Sequence, residues 1–154
     1  MKIENLKVYL SGEIHSNWRK YILKKVKEEN LSIKFLVPIT NHTDSDDCGV
    51  QILGKEEKKF WHDYKGASIN SIRIKNMIEK SDIVIVKFGE KYKQWNAAFD
   101  AGFASASNKS LIVIHKEENQ HALKEIDAAA LAVTSDVSEV VKILDYVING
   151  KIND

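Results

Sequence analysis

The chain has 154 residues, 44% of them hydrophobic and 29% charged, which is the size and composition of one globular domain and excludes a disordered chain. Its 23 Lys and Arg nearly balance 22 Asp and Glu, for a net charge of +1. That balance argues against a nucleic-acid polymer as partner, because phosphate neutralisation needs a clustered basic excess. Cys48 is the one cysteine and cannot close an internal disulfide. No apolar run approaches the ~18 residues of a spanning helix, and no apolar leader precedes Leu6. The expectation is a cytoplasmic single domain over residues 1–154, with no membrane partner.

Residues 6–10 predict a first strand, and residues 33–37 a second that Pro38 ends. Between them Trp18, Ile22, Leu23 and Val26 fall at helical spacing, with Ser16 or Asn17 as the N-cap. From Pro38 to about Ile69 the chain has no clean period, and residues 55–64 are the part able to form a short helix. Two unbroken aliphatic runs follow, residues 83–86 and 111–114, which is the pattern of parallel strands covered on both faces. Residues 94–107 predict a helix between them. A weaker strand over 130–134 precedes a final helix over 137–149, capped by Asp136 and stopped by Gly150. Strands alternating with helices specify an α/β fold: a three-layer, flavodoxin- or Rossmann-like sandwich around a five-stranded parallel sheet in the order 2-1-3-4-5.

In that order the winding reverses between the first and third strands, and a ligand crevice is expected beyond their carboxyl ends. The two loops there run from Ser11 to Arg19 and from Gly89 to Asn96, polar and aromatic where the strands are apolar. Polar loops follow strands in many proteins, but two together at the reversal favour a small-molecule site. Asp100 is the sharpest single residue, alone among Ala97, Ala98, Phe99, Ala101, Phe103 and Ala104 on one helix. A carboxylate on a buried helix must be neutral, paired or beside a cavity. It is therefore either structural, capping a loop or pairing with Arg19 or Arg73, or a nucleophile or acid/base at a pocket floor. Asn96 precedes it by one turn, shares its face and is the residue expected to fix its orientation.

Other signals fail. Asp44, Asp46 and Asp47 imitate a calcium loop, but Cys48 and Lys55 occupy ligand positions, and the histidines have no metal spacing. No glycine-rich phosphate fingerprint surrounds Gly12, so no metal or cofactor is expected. Trp18, Trp61 and Trp95 either stack on a base or pack in the core or at an interface.

Tyr9-Leu10-Ser11-Gly12, then residues 80–86, then Asp100-Ala101-Gly102-Phe103-Ala104 resemble the nucleoside 2-deoxyribosyltransferase superfamily. Within it the chain is most similar to the small bacterial YtoQ-type proteins. That similarity rests on residues 12–19, on Asn41-His42 with Ser45-Asp46, and on residues 89–96. The resemblance implies transfer of a 2-deoxyribosyl group between nucleobases through a sugar–carboxylate intermediate. It makes Asp100 the nucleophile, where the superfamily has Glu, and gives Tyr9 a contact with that carboxylate. Asn96-Ala97 replaces the usual Gly-Thr, and Gln94 replaces an Asp that helps to hold the sugar. Expected catalytic residues are thus Asp100, Tyr9 and Glu13. Substrate binding is expected from Ser11, Gly12, His15, Trp18, Glu90, Tyr92, Gln94 and Asn96. The leaving base needs a donor, from Glu13, His15 or Tyr92. A nucleoside or nucleotide is the expected partner, used by a transferase or hydrolase, or alternatively held by a binding module without chemistry. The resemblance also implies a homodimer or higher homo-oligomer, with Phe60, Trp61 and Tyr64 as interface or lid candidates.

Overall fold

Residues 1–152 are described by the structure, a computed structural model. Five strands, β1 (Leu6–Gly12), β2 (Ile33–Leu36), β3 (Ile83–Lys87), β4 (Ser110–Ile114) and β5 (Ala132–Thr134), form one sheet in the order β2-β1-β3-β4-β5. Every neighbouring pair is parallel. The expected fold class and strand order are observed.

Alternation along β1 decides what faces each side of the sheet. Leu6, Val8 and Leu10 join one core with α1 (Trp18–Glu28) and α7 (Val137–Asn149), through Trp18, Ile22, Val26, Val140, Leu144 and Ile148. Tyr9 turns to the other core, with Val84 and Val86 of β3 and the small face of α5 (Trp95–Ala106). Ser11, two residues beyond Tyr9, points the same way. On α5 the buried residues Ala97, Asp100, Ala101 and Ala104 make a stripe at i, i+3, i+4 and i+7. Alanines at three of those four places bring the helix close to the sheet, and Asp100 is carried into the interior with them.

The stretch without a clean period holds α2 (His42–Asp46), α3 (Cys48–Leu53) and the first half of α4 (Lys59–Glu79). The helix expected within residues 55–64 is therefore the start of a 21-residue element. Its pattern is weak because that half packs on α2 and α3 instead of the sheet; Gly66 and Ile78 are its only buried residues. Two glycines allow this contact. A Cβ on Gly49 would lie 2.3 Å from the Gly66 nitrogen, and one on Gly66 would lie 2.7 Å from the Asp46 carbonyl oxygen. The rings of Phe60, Trp61 and Tyr64 touch one another at the start of α4 and are all exposed, so they are not packed beneath the segment.

Helix ends follow local chemistry. Asp136 Oδ1 accepts from the Ser138 N–H at 2.7 Å, and Gly150 closes α7 in the left-handed region at φ 67°. Asn17 sits at the N-cap of α1 without a side-chain bond. The last strand is shorter than expected because Ala130 closes α6 (Gln120–Ala129), its N–H bonding the Asp127 carbonyl. Among the described residues no helix is long and apolar enough to cross a membrane.

Candidate active site

Asp100 is buried, and its Oδ2 accepts a 2.6 Å hydrogen bond from Ser11 Oγ. Burial pushes its carboxyl up to about 6, against the opposing effect of the Ser11 bond, which favours the ionised form. Neither arginine neutralises it. The Arg19 guanidinium donates to the carbonyls of Leu10 (3.0 Å), Gly12 (3.0 Å) and Glu13 (2.7 Å), while its face lies over Trp18. Arg73 forms no ion pair with it among the described residues and stands on the wall of the same recess. Asn96 lines the cleft but does not bond Asp100; Ser11 from β1 supplies the partner that the helix alone was expected to give. Tyr9 is fully buried, and its hydroxyl has no hydrogen-bond partner among the described residues. Burial, then the charge of Asp100, hold that phenol above its ordinary range, so it remains a neutral donor.

The β1 loop begins at Gly12, where φ is +108° and an added Cβ would meet the Lys87 carbonyl oxygen at 2.1 Å. Only glycine fits there. The Glu13 carboxylate accepts from the backbone N–H of His15 (2.6 Å) and Ser16 (3.1 Å), from the Ser16 hydroxyl, and from Lys87 Nζ (3.2 Å). Burial alone would raise its pKa, but these donors outweigh burial and hold it below the usual carboxylate range. Trp18 does not reach the cleft. Its ring is in the α1–α7 core, and its indole N–H donates to the Glu13 carbonyl at 2.9 Å. Helical spacing placed Trp18 with the core residues of α1, and that face prevails.

The second loop is fastened to itself and to the first. Gln94 Oε1 accepts from the Gly89 N–H at 2.8 Å, and Gly89 lies against the Glu13 side chain. The rings of His15 and Tyr92 meet at 4.8 Å between centroids, joining the loops across the top. Glu90 points away from the cleft and pairs with Lys116 at 3.0 Å on the surface. Its expected place among substrate contacts is therefore not observed: the loop turns at Gly89 and leaves Glu90 on the outer side.

These elements enclose a cleft of about 420 Å³, in the range of small-molecule sites, with Tyr9, Ser11, Gly12, Glu13 and Asp100 on one wall. His15, Tyr92, Gln94 and Asn96 border it from the loops. The lining is completed by the segment that follows β2 and by α2, through Ile39, His42 and Asp46. A second lobe of about 480 Å³ between α2, α4 and α5 shares Asp46, Asn96 and Asp100 with the first. Sequence reading gave α2 no role. Its signal was the capping pattern: Asn41 accepts from the Asp44 N–H at 3.2 Å, and His42 and Asp46 stand one turn apart. No group of three or more His, Cys, Asp or Glu among the described residues is arranged to hold a metal ion.

The chain is a doubly wound α/β domain with a buried carboxylate at its switch-point cleft, the place where parallel sheets of this class carry their ligand sites. The family model described as nucleoside 2-deoxyribosyltransferase YtoQ matches residues 9–148, and the chain belongs to that family. The uncharacterized protein YtoQ of Bacillus subtilis (strain 168) is 45% identical over 139 residues, which cover 90% of this chain and 94% of that one. A crystal structure of a conserved protein from Enterococcus faecalis V583 superposes with a TM-score of 0.57. The match covers 92% of this chain and 98% of that chain at 12% identity, a likeness of fold alone.

Proposed function

We propose that the protein cleaves or transfers the N-glycosidic bond of a nucleoside or nucleotide, with Asp100 as nucleophile. The observation that carries this reading is the placement of Asp100: buried, held by one hydroxyl, and open to a cleft of substrate size. Breaking the bond between sugar and base builds positive charge on the sugar ring. The Asp100 carboxylate, oriented by Ser11, stabilises that charge and captures the anomeric carbon, and the Tyr9 hydroxyl is free to donate to either reacting oxygen. Water or a second base then releases the sugar. With its carboxyl at about 6, Asp100 is mostly ionised at neutral pH, so activity falls as pH drops below that value. Glu13 shapes the loop; four donors occupy its carboxylate and leave it no proton to give.

A second reading, a nucleoside-binding module without chemistry, is favoured by Gln94. Its amide oxygen is engaged by the Gly89 N–H, where the superfamily resemblance implies an Asp facing the sugar. Incubation with a panel of deoxynucleosides, ribonucleosides and their monophosphates, followed by chromatography of free base, separates the two. Base release supports the enzyme. A thermal shift with the same compounds but no released base supports the binder.

A further inference from the structure

Asn41-His42 with Ser45-Asp46 has no part in the chemistry assigned so far, yet the fold brings His42, Ser45 and Asp46 to the lining of the cleft that holds Asp100. The departing base needs a proton, and few groups can supply it. His62 contacts Asp47 and Asp63, and His115 is held by Asp127; neither lines the cleft. His15 and His42 do. The His15 ring lies against Tyr92, and the nearby Glu13 carboxylate takes its backbone N–H. His42 alone of the two has a carboxylate on its ring: Nδ1 donates to Asp46 Oδ2 at 3.4 Å, and Nε2 has no partner among the described residues. A ring fixed through one nitrogen, with the other free, is arranged to carry a proton.

The dyad is also held from behind. Asn70 Nδ2 donates to the Ser45 carbonyl at 2.7 Å, tying α2 to α4. Gly66 lets the Asp46 backbone approach α4 closely, and Asn41 caps the helix. Asp46 borders both lobes that meet at Asp100.

We propose that His42, oriented by Asp46, is the proton carrier of the cleft, working across the bound nucleoside from Asp100. This rests on the N-glycosidic reading above. In the first step an Asp100 oxygen bonds the anomeric carbon while the carbon–nitrogen bond breaks. The electron pair goes to the base nitrogen, and the Nε2 proton of the His42 imidazolium moves to the base. In the second step water attacks the anomeric carbon, the sugar–Asp100 carbon–oxygen bond breaks, and its electron pair returns to the carboxylate. The water proton passes to neutral His42. Nucleoside and water give free sugar and free base, and His42 ends protonated as it began. A second base replacing water delivers its N–H proton by the same route. Asp46 is a positioning residue.

The test compares the full-length wild type with His42→Gln, Asp46→Asn and His15→Gln on two kinds of substrate. One is the ordinary nucleoside that releases base most readily. The other is an N7-methylated purine deoxynucleoside, whose cationic base departs neutral without a proton. The His42 side chain is 73% exposed, so its replacement leaves packing intact. In the first turnover, before water releases the sugar, His42→Gln is expected to slow base release from the ordinary nucleoside by about 100-fold or more and to leave that from the methylated one near the wild-type rate. Asp46→Asn should give a smaller loss with the same substrate dependence. Equal losses on both substrates, no loss on either, or a substrate-dependent loss with His15→Gln instead would overturn the role of His42 while the N-glycosidic reading stands. No release by wild type from any substrate would overturn both.

Discussion

Asp100→Asn separates function from stability at the residue on which the reading depends. In the unfolded chain the carboxyl titrates near 3.8, and in the fold at about 6, because burial disfavours its charge. The unfolded state therefore loses its proton first as pH rises, and folding stability falls across that window. The penalty is absent below the lower value and complete above the upper one. A shift of about 2 units corresponds to a cost of about 3 kcal/mol at neutral pH. Asparagine cannot ionise and still accepts from Ser11, so Asp100→Asn should be stabilised by roughly 1–3 kcal/mol at pH 7.5. For a domain of this size that is a rise of roughly 2–10 °C in melting temperature. Thermal melts from pH 4 to 8 should show the gain shrinking steadily toward acid. Base release should fall by about 10³-fold or more at the same time. A variant that instead melts far lower at pH 7.5, by the equivalent of about 3–5 kcal/mol, would mean that Asp100 compensates a buried cation, and the argument would fail.

Ser11→Ala removes the one bond that favours ionised Asp100, so its carboxyl should rise further and the acid limb of the pH–rate profile should move to higher pH. An unmoved limb would mean that another group controls it. Gly12→Ala forces a Cβ against the Lys87 carbonyl at a positive φ, and should cost about 3 kcal/mol or more in a denaturant melt. The exposed Phe60–Trp61–Tyr64 cluster beside the second lobe is proposed as part of a homo-oligomer interface. Light scattering at micromolar concentration should give a dimer or larger, and Trp61→Lys should shift it toward monomer. A strict monomer in the wild type would remove the interface.

The architecture was legible because each strand carries its own signature. The aliphatic runs of β3 and β4 read as covered strands, and α7 announced both its cap and its stop. Asp100 was legible for a related reason, as a lone charge on a helix with no polar face. The α2–α4 segment was not, because its helices are held by close glycine contacts and side-chain bonds to backbone, such as Asn70 to Ser45, which leave no apolar stripe. Partner choice was equally hidden. That Ser11 bonds Asp100 follows from β1 alternation plus the sheet order, whereas helical spacing alone pointed to Asn96. Trp18 and Glu90 lie within loop blocks that otherwise border the cleft. Only the chain path shows that one turns into the core and the other to Lys116.

The central claim is that Asp100 bonds the sugar, and its most direct test is the mass of the peptide that contains it. Wild type is mixed with the nucleoside that releases base, quenched in acid within the first turnovers, digested, and analysed by mass spectrometry. The account predicts that the Asp100 peptide gains the mass of the nucleoside less its free base, one sugar less one water, and that Asp100→Asn yields no adduct. Base release by wild type with an unmodified Asp100 peptide, and equal release by Asp100→Asn, would contradict it.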